Sequence, residues 1–89
     1  MSTADYDRSL AAFRDWLETH CEVDDRESDT WARLFGAWKR YAHVRQVMFW
    51  SRPFFNRWLR ANGFERVRGA DVVRVVGLRV LDTARSHAA

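Results

Sequence analysis

The side chains best suited to bind another molecule are the cations in the second half of the chain. Residues 39–79 include ten basic and two acidic side chains, whereas residues 1–38 include four basic and nine acidic ones. Arginine and asparagine pair bidentately with guanine and adenine edges, and arginine also binds phosphate. The charge pattern fits a polyanion partner, and it fits equally well a basic face that only keeps the domain soluble.

The candidate nucleic-acid-binding residues lie on one predicted helix and on the hairpin predicted to follow it. They are Arg52, Asn56, Arg57, Arg60, Arg66, Arg68 and Arg74. We expect Asn56 and Arg57 to contact base edges in the major groove, which is about 12 Å wide and admits a helix. We expect the other five arginines to contact phosphates, which set position without reading sequence.

Metal ligation and nucleophilic chemistry receive little support from the residues. His20 and Cys21 are adjacent and cannot both face one metal from a regular helix, while His43 and His87 have no ligand spacing. Cys21 has no second cysteine to pair with and is predicted to be a buried packing residue. The acidic residues 24–29 lack the central glycine and terminal glutamate of a calcium loop, which indicates a solvated loop.

Catalytic motifs are equally scarce. The chain contains no glycine-rich phosphate loop, no Walker lysine motif and no nucleophile elbow. We therefore predict that the chain is not an enzyme, and that it needs no cofactor, no metal and no small-molecule substrate.

Two helices are predicted in the acidic half. The first should cover about residues 5–20, because Leu10, Phe13 and Leu17 recur at helical spacing. The second should begin at Asp29 or Thr30 and end near Ala42. Its apolar positions are Trp31, Leu34, Phe35, Trp38 and Tyr41. Residues 22–29 are polar and predict a loop, in which Val23 could start a very short strand, and residues 43–50 could extend the second helix or form a turn.

The third helix has the clearest boundaries. Ser51 is a good N-cap, Pro53 suits the first turn, and Gly63 suits the position just after a helix end near Asn62. We expect three residues to face the core and the basic ones to face outwards. The inward residues are Phe55, Trp58 and Leu59.

After Gly63 the apolar period changes from that of a helix to that of a strand. Residues 64–68 predict one strand, residues 69–71 a turn, and residues 72–80 a second strand that Gly77 interrupts. Three helices followed by a hairpin is the order of a winged helix-turn-helix domain. We therefore predict an α+β, mainly α fold with a single domain over residues 1–89, an ordered core at about 5–82 and a flexible tail at 83–89.

The residues also resemble one known domain. The pattern consists of Phe13-x-x-Trp16-Leu17-x-x-x-Cys21, Leu34-Phe35-x-x-Trp38, Ser51-x-x-x-Phe55-x-x-x-Leu59-x-x-x-Gly63-Phe64 and Arg74-x-x-Gly77-Leu78-x-Val80. It is similar to the carboxy-terminal winged-helix domain of phage and plasmid primase-helicases, a group related to the poxvirus primase-helicase. The resemblance covers roughly residues 10–81 and implies a domain that contacts DNA beside a superfamily 3 helicase motor.

For this chain the resemblance implies a small DNA-binding protein of phage or mobile-element type. It would act in replication or in transcriptional regulation, with the third helix in the major groove and the wing on the backbone of double-stranded DNA. A fragment of a larger primase is the other interpretation of the same resemblance.

Trp50 and Phe54 are the aromatic residues that are hardest to bury. At an exposed helix start they could bind a protein partner, join two copies as a homodimer, or stack the bases of a single strand. Otherwise they close the bottom of a small core. The alternative function is therefore a protein-protein interaction module on the same fold.

The chain shows no signal of membrane insertion or export. No apolar stretch approaches the roughly 18 residues that span a bilayer, and residues 1–14 do not resemble a signal peptide. We therefore expect no membrane partner and a cytoplasmic location.

Overall fold

The structure is a computed structural model that describes residues 3–81. Its elements in chain order are α1 (Thr3–His20), β1 (Cys21–Thr30), α2 (Trp31–Arg45), α3 (Arg52–Ala61), β2 (Glu65–Arg68) and β3 (Val73–Val80). The strands form an antiparallel sheet in the order β1-β3-β2. The described residues are therefore a small α+β unit of three helices and three strands. The flexible tail predicted at 83–89 lies outside them.

The helices pack around a core of aromatic rings. Phe13 of α1 lies at the centre, with ring centroids 5.5 Å from Trp38 of α2 and 5.4 Å from Trp58 of α3. Trp16 and Phe55 complete the cluster, and all five side chains are at most 2% exposed. Large rings bury much area per residue, which a chain of this length needs. The predicted core faces of the three helices are confirmed.

The ends of α2 are defined by local hydrogen bonds. The Thr30 hydroxyl accepts a bond from the Arg33 amide at 3.2 Å, which makes Thr30 the N-cap. The helix continues three residues beyond the predicted end at Ala42 and stops at Arg45. Gln46 then adopts a left-handed conformation with φ of 56°. The ambiguous residues 43–50 are therefore a last helical turn followed by a connection to α3.

The prediction of a loop at residues 22–29 is wrong, because this segment belongs to β1. The strand pairs with β3 from Cys21 opposite Val80 to Thr30 opposite Arg74, with an irregularity between Val23 and Ser28. Acidic residues disfavour strands. Here, however, β3 offers an open edge, and the amide of Val80 donates to Asp29 Oδ2 at 3.1 Å. Tertiary pairing therefore outweighs the local preference of the sequence.

The predicted hairpin is confirmed as β2 and β3. Arg66 lies opposite Val75, and the Gly69 amide closes the turn by donating to the carbonyl of Val72 at 2.8 Å. Gly77 has φ of +106°, and a Cβ atom there would lie 3.0 Å from the ring of Phe64. Only glycine fits such a position without strain. The strand is therefore not interrupted at Gly77. Its backbone is irregular at this one residue, and β3 continues to Val80.

Candidate nucleic-acid interface

Helix α3 presents its basic residues to solvent because its other face is in the core. Phe55, Trp58 and Leu59 are at most 2% exposed. Arg57 and Arg60 lie on the opposite side and are exposed. The orientation predicted for this helix is confirmed, except that Asn56 and its neighbours on one edge make further contacts described below.

A groove of about 430 Å³ lies between α3 and the start of the hairpin. Asn56 and Arg60 line it from the helix, and Arg66 and Arg68 line it from β2. Opposite residues of an antiparallel pair share a face, so Arg66 lies on the same face of the sheet as buried Val75. Four of the seven predicted residues therefore meet in one groove.

The other three predicted residues lie outside this groove. Arg74 points to the opposite face of the sheet, where its Nη2 donates to Ser28 Oγ at 3.0 Å. Successive helical residues are about 100° apart, so Arg57 is turned away from Asn56. The Arg57 guanidinium lies 5.7 Å from the ring centroid of Phe54. The third residue, Arg52, lies one turn before Asn56 on α3. The candidate set is thus one cluster of four residues and three arginines outside it.

Two residues of α3 are held by aromatic rings from α2. Trp31 Nε1 donates to Asn56 Oδ1 at 2.8 Å. The Arg52 guanidinium lies 5.9 Å from the Trp31 ring and 6.0 Å from the Phe35 ring. These two rings are stacked on each other, with centroids 4.9 Å apart. The side chains of Arg52 and Asn56 on this edge of α3 are therefore held in place by contacts within the domain.

Trp31 belongs to the predicted core stripe of α2, and that stripe gives no indication of its contact with Asn56. The signal that could have found it is the indole N–H, because a partly buried tryptophan needs a hydrogen-bond acceptor. Asn56 occupies the exposed face of the next helix and is a suitable one. Its predicted contact with a base edge stays a prediction, but its carbonyl oxygen already has a partner.

Four arginines outside the candidate set are ion-paired within the domain. Among residues 3–81 the ion pairs are Arg26–Asp24 at 3.2 Å, Arg33–Asp29 at 3.6 Å, Arg45–Asp15 at 3.2 Å, Arg79–Glu22 at 2.7 Å and Arg79–Glu27 at 3.3 Å. The six candidate arginines make no ion pair with any of these residues. Five of the nine acidic residues of the first half are therefore paired with arginines.

The pKa shifts follow this pairing. The Tyr41 hydroxyl and the Arg45 guanidinium lower the pKa of Asp15, and Arg26 lowers the pKa of Asp24. The carboxylates of Glu22 and Glu27 raise the pKa of Arg79. These groups therefore keep their charges more firmly in the folded protein than they would in isolation.

Trp50 and Phe54 do not form a common open patch. Both are half-buried, and their rings contact different neighbours. Trp50 lies 4.9 Å from the ring of His43, whereas Phe54 lies 4.9 Å from the ring of Phe49 and 6.3 Å from that of Tyr6. The most exposed large apolar side chains are instead Val44 at 80% and Met48 at 67%.

In the part of the chain that the structure describes, the remaining chemistry-bearing groups form no second site. Cys21 is buried, as predicted, and burial raises the pKa of its thiol to about 12, so it is protonated at neutral pH. Within residues 3–81 no three histidine, cysteine or acidic side chains are grouped as a metal would require, and no helix is long and apolar enough to cross a bilayer. His87 lies outside this range.

Comparisons of the chain with protein-family models, with curated proteins and with solved structures found no match. The resemblance to the primase-helicase domain therefore stays a prediction.

Proposed function

We propose that this chain is a winged-helix protein that binds duplex DNA, with α3 in the major groove and the β2–β3 hairpin on the adjacent backbone. The element order, with β3 between β1 and β2, supports this assignment of the fold. In such an arrangement α3 is the recognition helix and the hairpin is the wing. A role in replication or transcriptional regulation stays a prediction from the resemblance.

The observation that carries the proposal is the convergence of unpaired arginines. Arg60, Arg66 and Arg68 line one groove, and none of them makes an ion pair with a described residue. Glu65 is the one acidic residue among those that line the groove. Like charges held together repel one another, and an anion placed between them removes that repulsion. A phosphate of the DNA backbone fits this need.

Duplex DNA is preferred over a single strand because of the aromatic residues. Proteins that bind single strands stack bases on open aromatic rings. The rings of Trp50 and Phe54 are half-buried and engaged with other rings, so they offer no such platform. For the same reason we propose no protein interface at these two residues.

The test is a gel-shift titration with mixed-sequence duplex DNA over a range of salt concentrations. We expect binding at about 50 mM salt, with an affinity that falls steeply as salt displaces the released counterions. A single strand of the same sequence should bind more weakly. An absence of duplex binding at low salt would reject the proposal.

Arg66→Gln and Arg26→Gln form a matched pair for this experiment. Both remove one positive charge from an exposed arginine on a strand, but Arg26 is already paired with Asp24. We expect Arg66→Gln to weaken binding by about tenfold and to lower the salt slope by about one, while Arg26→Gln stays within about twofold of the unmodified protein. Equal effects would show that only net charge matters, and would contradict the assignment of the groove.

A further inference from the structure

Arg52 lies in the first turn of α3, and its guanidinium group rests over aromatic rings of α2. The group lies 5.9 Å from the ring centroid of Trp31 and 6.0 Å from that of Phe35. Such a cation–π contact uses none of the five N–H donors of a guanidinium as hydrogen bonds. Arg52 is exposed and makes no ion pair with any of residues 3–81. The rings therefore hold the group while its donors remain available to an anion.

Trp31 and Phe35, which we call the aromatic platform, are themselves fixed by contacts with α3. The two rings stack with centroids 4.9 Å apart and planes 11° apart. They lie 6.0 and 5.4 Å from the ring of Phe55, which is fully buried. Trp31 Nε1 also donates to Asn56 Oδ1 at 2.8 Å. Phe55 and Asn56 belong to α3, so the platform is tied to the helix that carries Arg52.

Arg52 and the groove lie at opposite ends of α3. Arg60 lines the groove together with Arg66 and Arg68, whereas Arg52 is not among the residues that line it. Eight residues of an α-helix span about 12 Å along its axis, which is the separation between Arg52 and Arg60 on the helix. An anion bound by Arg52 on its platform is therefore a different one from the anion in the groove.

We propose that Trp31 and Phe35 are positioning residues that hold Arg52 for a second backbone phosphate, separate from the phosphate in the groove. This inference rests on the proposed function, since it concerns the same DNA-binding surface. Neither ring touches DNA in this arrangement. Their contribution is to restrict a long side chain in the free protein, so that less conformational freedom is lost when Arg52 binds the phosphate.

The first test separates the charge that binds the phosphate from the rings that position it. Arg52→Ala removes the charge, so we expect the affinity for duplex DNA to fall about fivefold at about 50 mM salt and the salt slope to fall by about one. Phe35→Leu removes one ring of the platform but keeps an apolar side chain against Phe55. It should weaken binding about threefold, the usual size of an exposed cation–π contact, and leave the salt slope unchanged.

A double-mutant cycle shows whether Phe35 acts through Arg52. In the Arg52→Ala background, Phe35→Leu should cause no further loss of affinity, because the group that the ring positions is already absent. Phe35→Tyr keeps the ring and should restore the affinity of the unmodified protein. An equal loss from Phe35→Leu in both backgrounds would show that Phe35 affects binding through the fold, and would overturn the inference.

Arg45→Ala is the matched control for Arg52→Ala. The Arg45 guanidinium also lies near a ring, 5.4 Å from the centroid of Tyr41, but it is ion-paired with Asp15 at 3.2 Å. We expect Arg45→Ala to keep the affinity within about twofold, because this arginine has no free charge to offer. A loss as large as that of Arg52→Ala would show that only net charge matters.

Additivity tests whether the second phosphate is separate from the first. Arg52→Ala and Arg66→Gln should together weaken binding by the product of their separate effects, because distant sites without a shared partner act independently. A combined loss no larger than that of Arg66→Gln alone would mean that both arginines bind one phosphate, and would overturn the inference.

A measurement on the free protein does not depend on how Phe35→Leu folds. Nuclear magnetic relaxation of the Nε–H group reports how restricted each arginine side chain is on the picosecond-to-nanosecond timescale. We expect Arg52 to be more restricted than Arg60, for which no cation–π contact occurs within residues 3–81. Equal mobility of the two groups would overturn the inference.

The outcomes separate this inference from the proposed function. Duplex binding that Arg52→Ala leaves unchanged would overturn the second phosphate site and leave DNA binding through the groove intact. A failure of the unmodified protein to bind duplex DNA would overturn both.

Discussion

Two groups of arginines in this protein differ in what lies within reach of their guanidinium groups. Arg26, Arg33, Arg45 and Arg79 are ion-paired with carboxylates of the domain. The six candidate arginines of α3 and the hairpin make no ion pair with a described residue. The same residue type is thus paired within the domain in one group and left without an acidic partner in the other. Arginine content alone cannot distinguish these uses, whereas the position of the acids can.

The largest expected effect comes from emptying the groove of its cations. The triple variant Arg60→Ala, Arg66→Ala, Arg68→Ala should weaken duplex binding about 100-fold at low salt and reduce the salt slope by about three, because three phosphate contacts are lost. Its free energy of unfolding should stay the same or rise, since these side chains repel one another. Gel shifts and urea unfolding measure the two effects.

The matched control removes three charges from the paired group. Arg26→Ala, Arg33→Ala, Arg45→Ala changes the net charge by the same amount but takes nothing from the groove. We expect it to lower the free energy of unfolding and to keep the affinity within about threefold. If it lost as much affinity as the groove variant, the distinction between the two groups would not hold.

The next largest effect concerns Asp29, the acid that is most deeply buried in the paired region. Its side chain is 5% exposed, and it accepts hydrogen bonds from the amides of Thr30 and Val80 at 2.8 and 3.1 Å. Asp29→Ala leaves the buried Val80 amide without an acceptor, so we expect the free energy of unfolding to fall by about 2–3 kcal/mol. Asp29→Asn keeps an acceptor and should lose less. Chemical unfolding followed by tryptophan fluorescence gives both values, and equal losses would show that the hydrogen bonds are unimportant.

The strand that contains Asp29, β1, could not be predicted from the sequence, whereas the helices could. The helices have apolar residues at regular helical spacing, with Ser51 and Gly63 at the boundaries of α3, and this information is local. Residues 22–29 have almost no apolar side chains, and their strand depends on β3, which lies some fifty residues away. The sequence of residues 22–29 gives no sign of β3. Its only related feature is the acidic residues that bind Arg79 and the Val80 amide in the folded protein.

The same division applies to the candidate site. The exposed side of α3 and the alternation of the hairpin were predictable, because each follows from the period of a single element. The placement of Arg74 away from Arg66 and Arg68 follows from that alternation too. The groove and the Trp31–Asn56 contact were not predictable, because they depend on how α2, α3 and β2 pack together.

A smaller effect is expected when one arginine of each group is compared within the sheet. Arg79 bridges Glu22 and Glu27 and so joins β3 to β1, whereas Arg74 on the same face donates to the Ser28 hydroxyl and makes no ion pair within residues 3–81. Arg79→Ala should therefore lower the free energy of unfolding more than Arg74→Ala does, and should have the smaller effect on DNA affinity. The reverse order in either measurement would contradict the comparison.

The smallest effect appears only in acid and concerns the ion pair between α1 and α2. The pKa of Asp15 is lowered from 3.8 by the Tyr41 hydroxyl and by Arg45, whose Nη1 lies 3.2 Å from Asp15 Oδ2. A carboxyl whose pKa is lowered by folding stabilises the protein above its unfolded pKa, and that stability is lost as the pH falls through the folded value. We therefore expect the free energy of unfolding to fall as the pH drops below the ordinary aspartate pKa of about 4, and to fall less in Asp15→Asn.

Asp24→Asn is the comparison that sharpens this prediction. The pKa of Asp24 is also lowered, but its partner Arg26 is only two residues away, so part of the contact persists in the unfolded chain. Asp15 and Arg45 are thirty residues apart and meet only after folding. The pH dependence of stability should therefore flatten more in Asp15→Asn than in Asp24→Asn. Equal slopes in the two variants, measured by urea unfolding across this range, would show that the local pair is as specific to the folded state as the pair that joins α1 to α2.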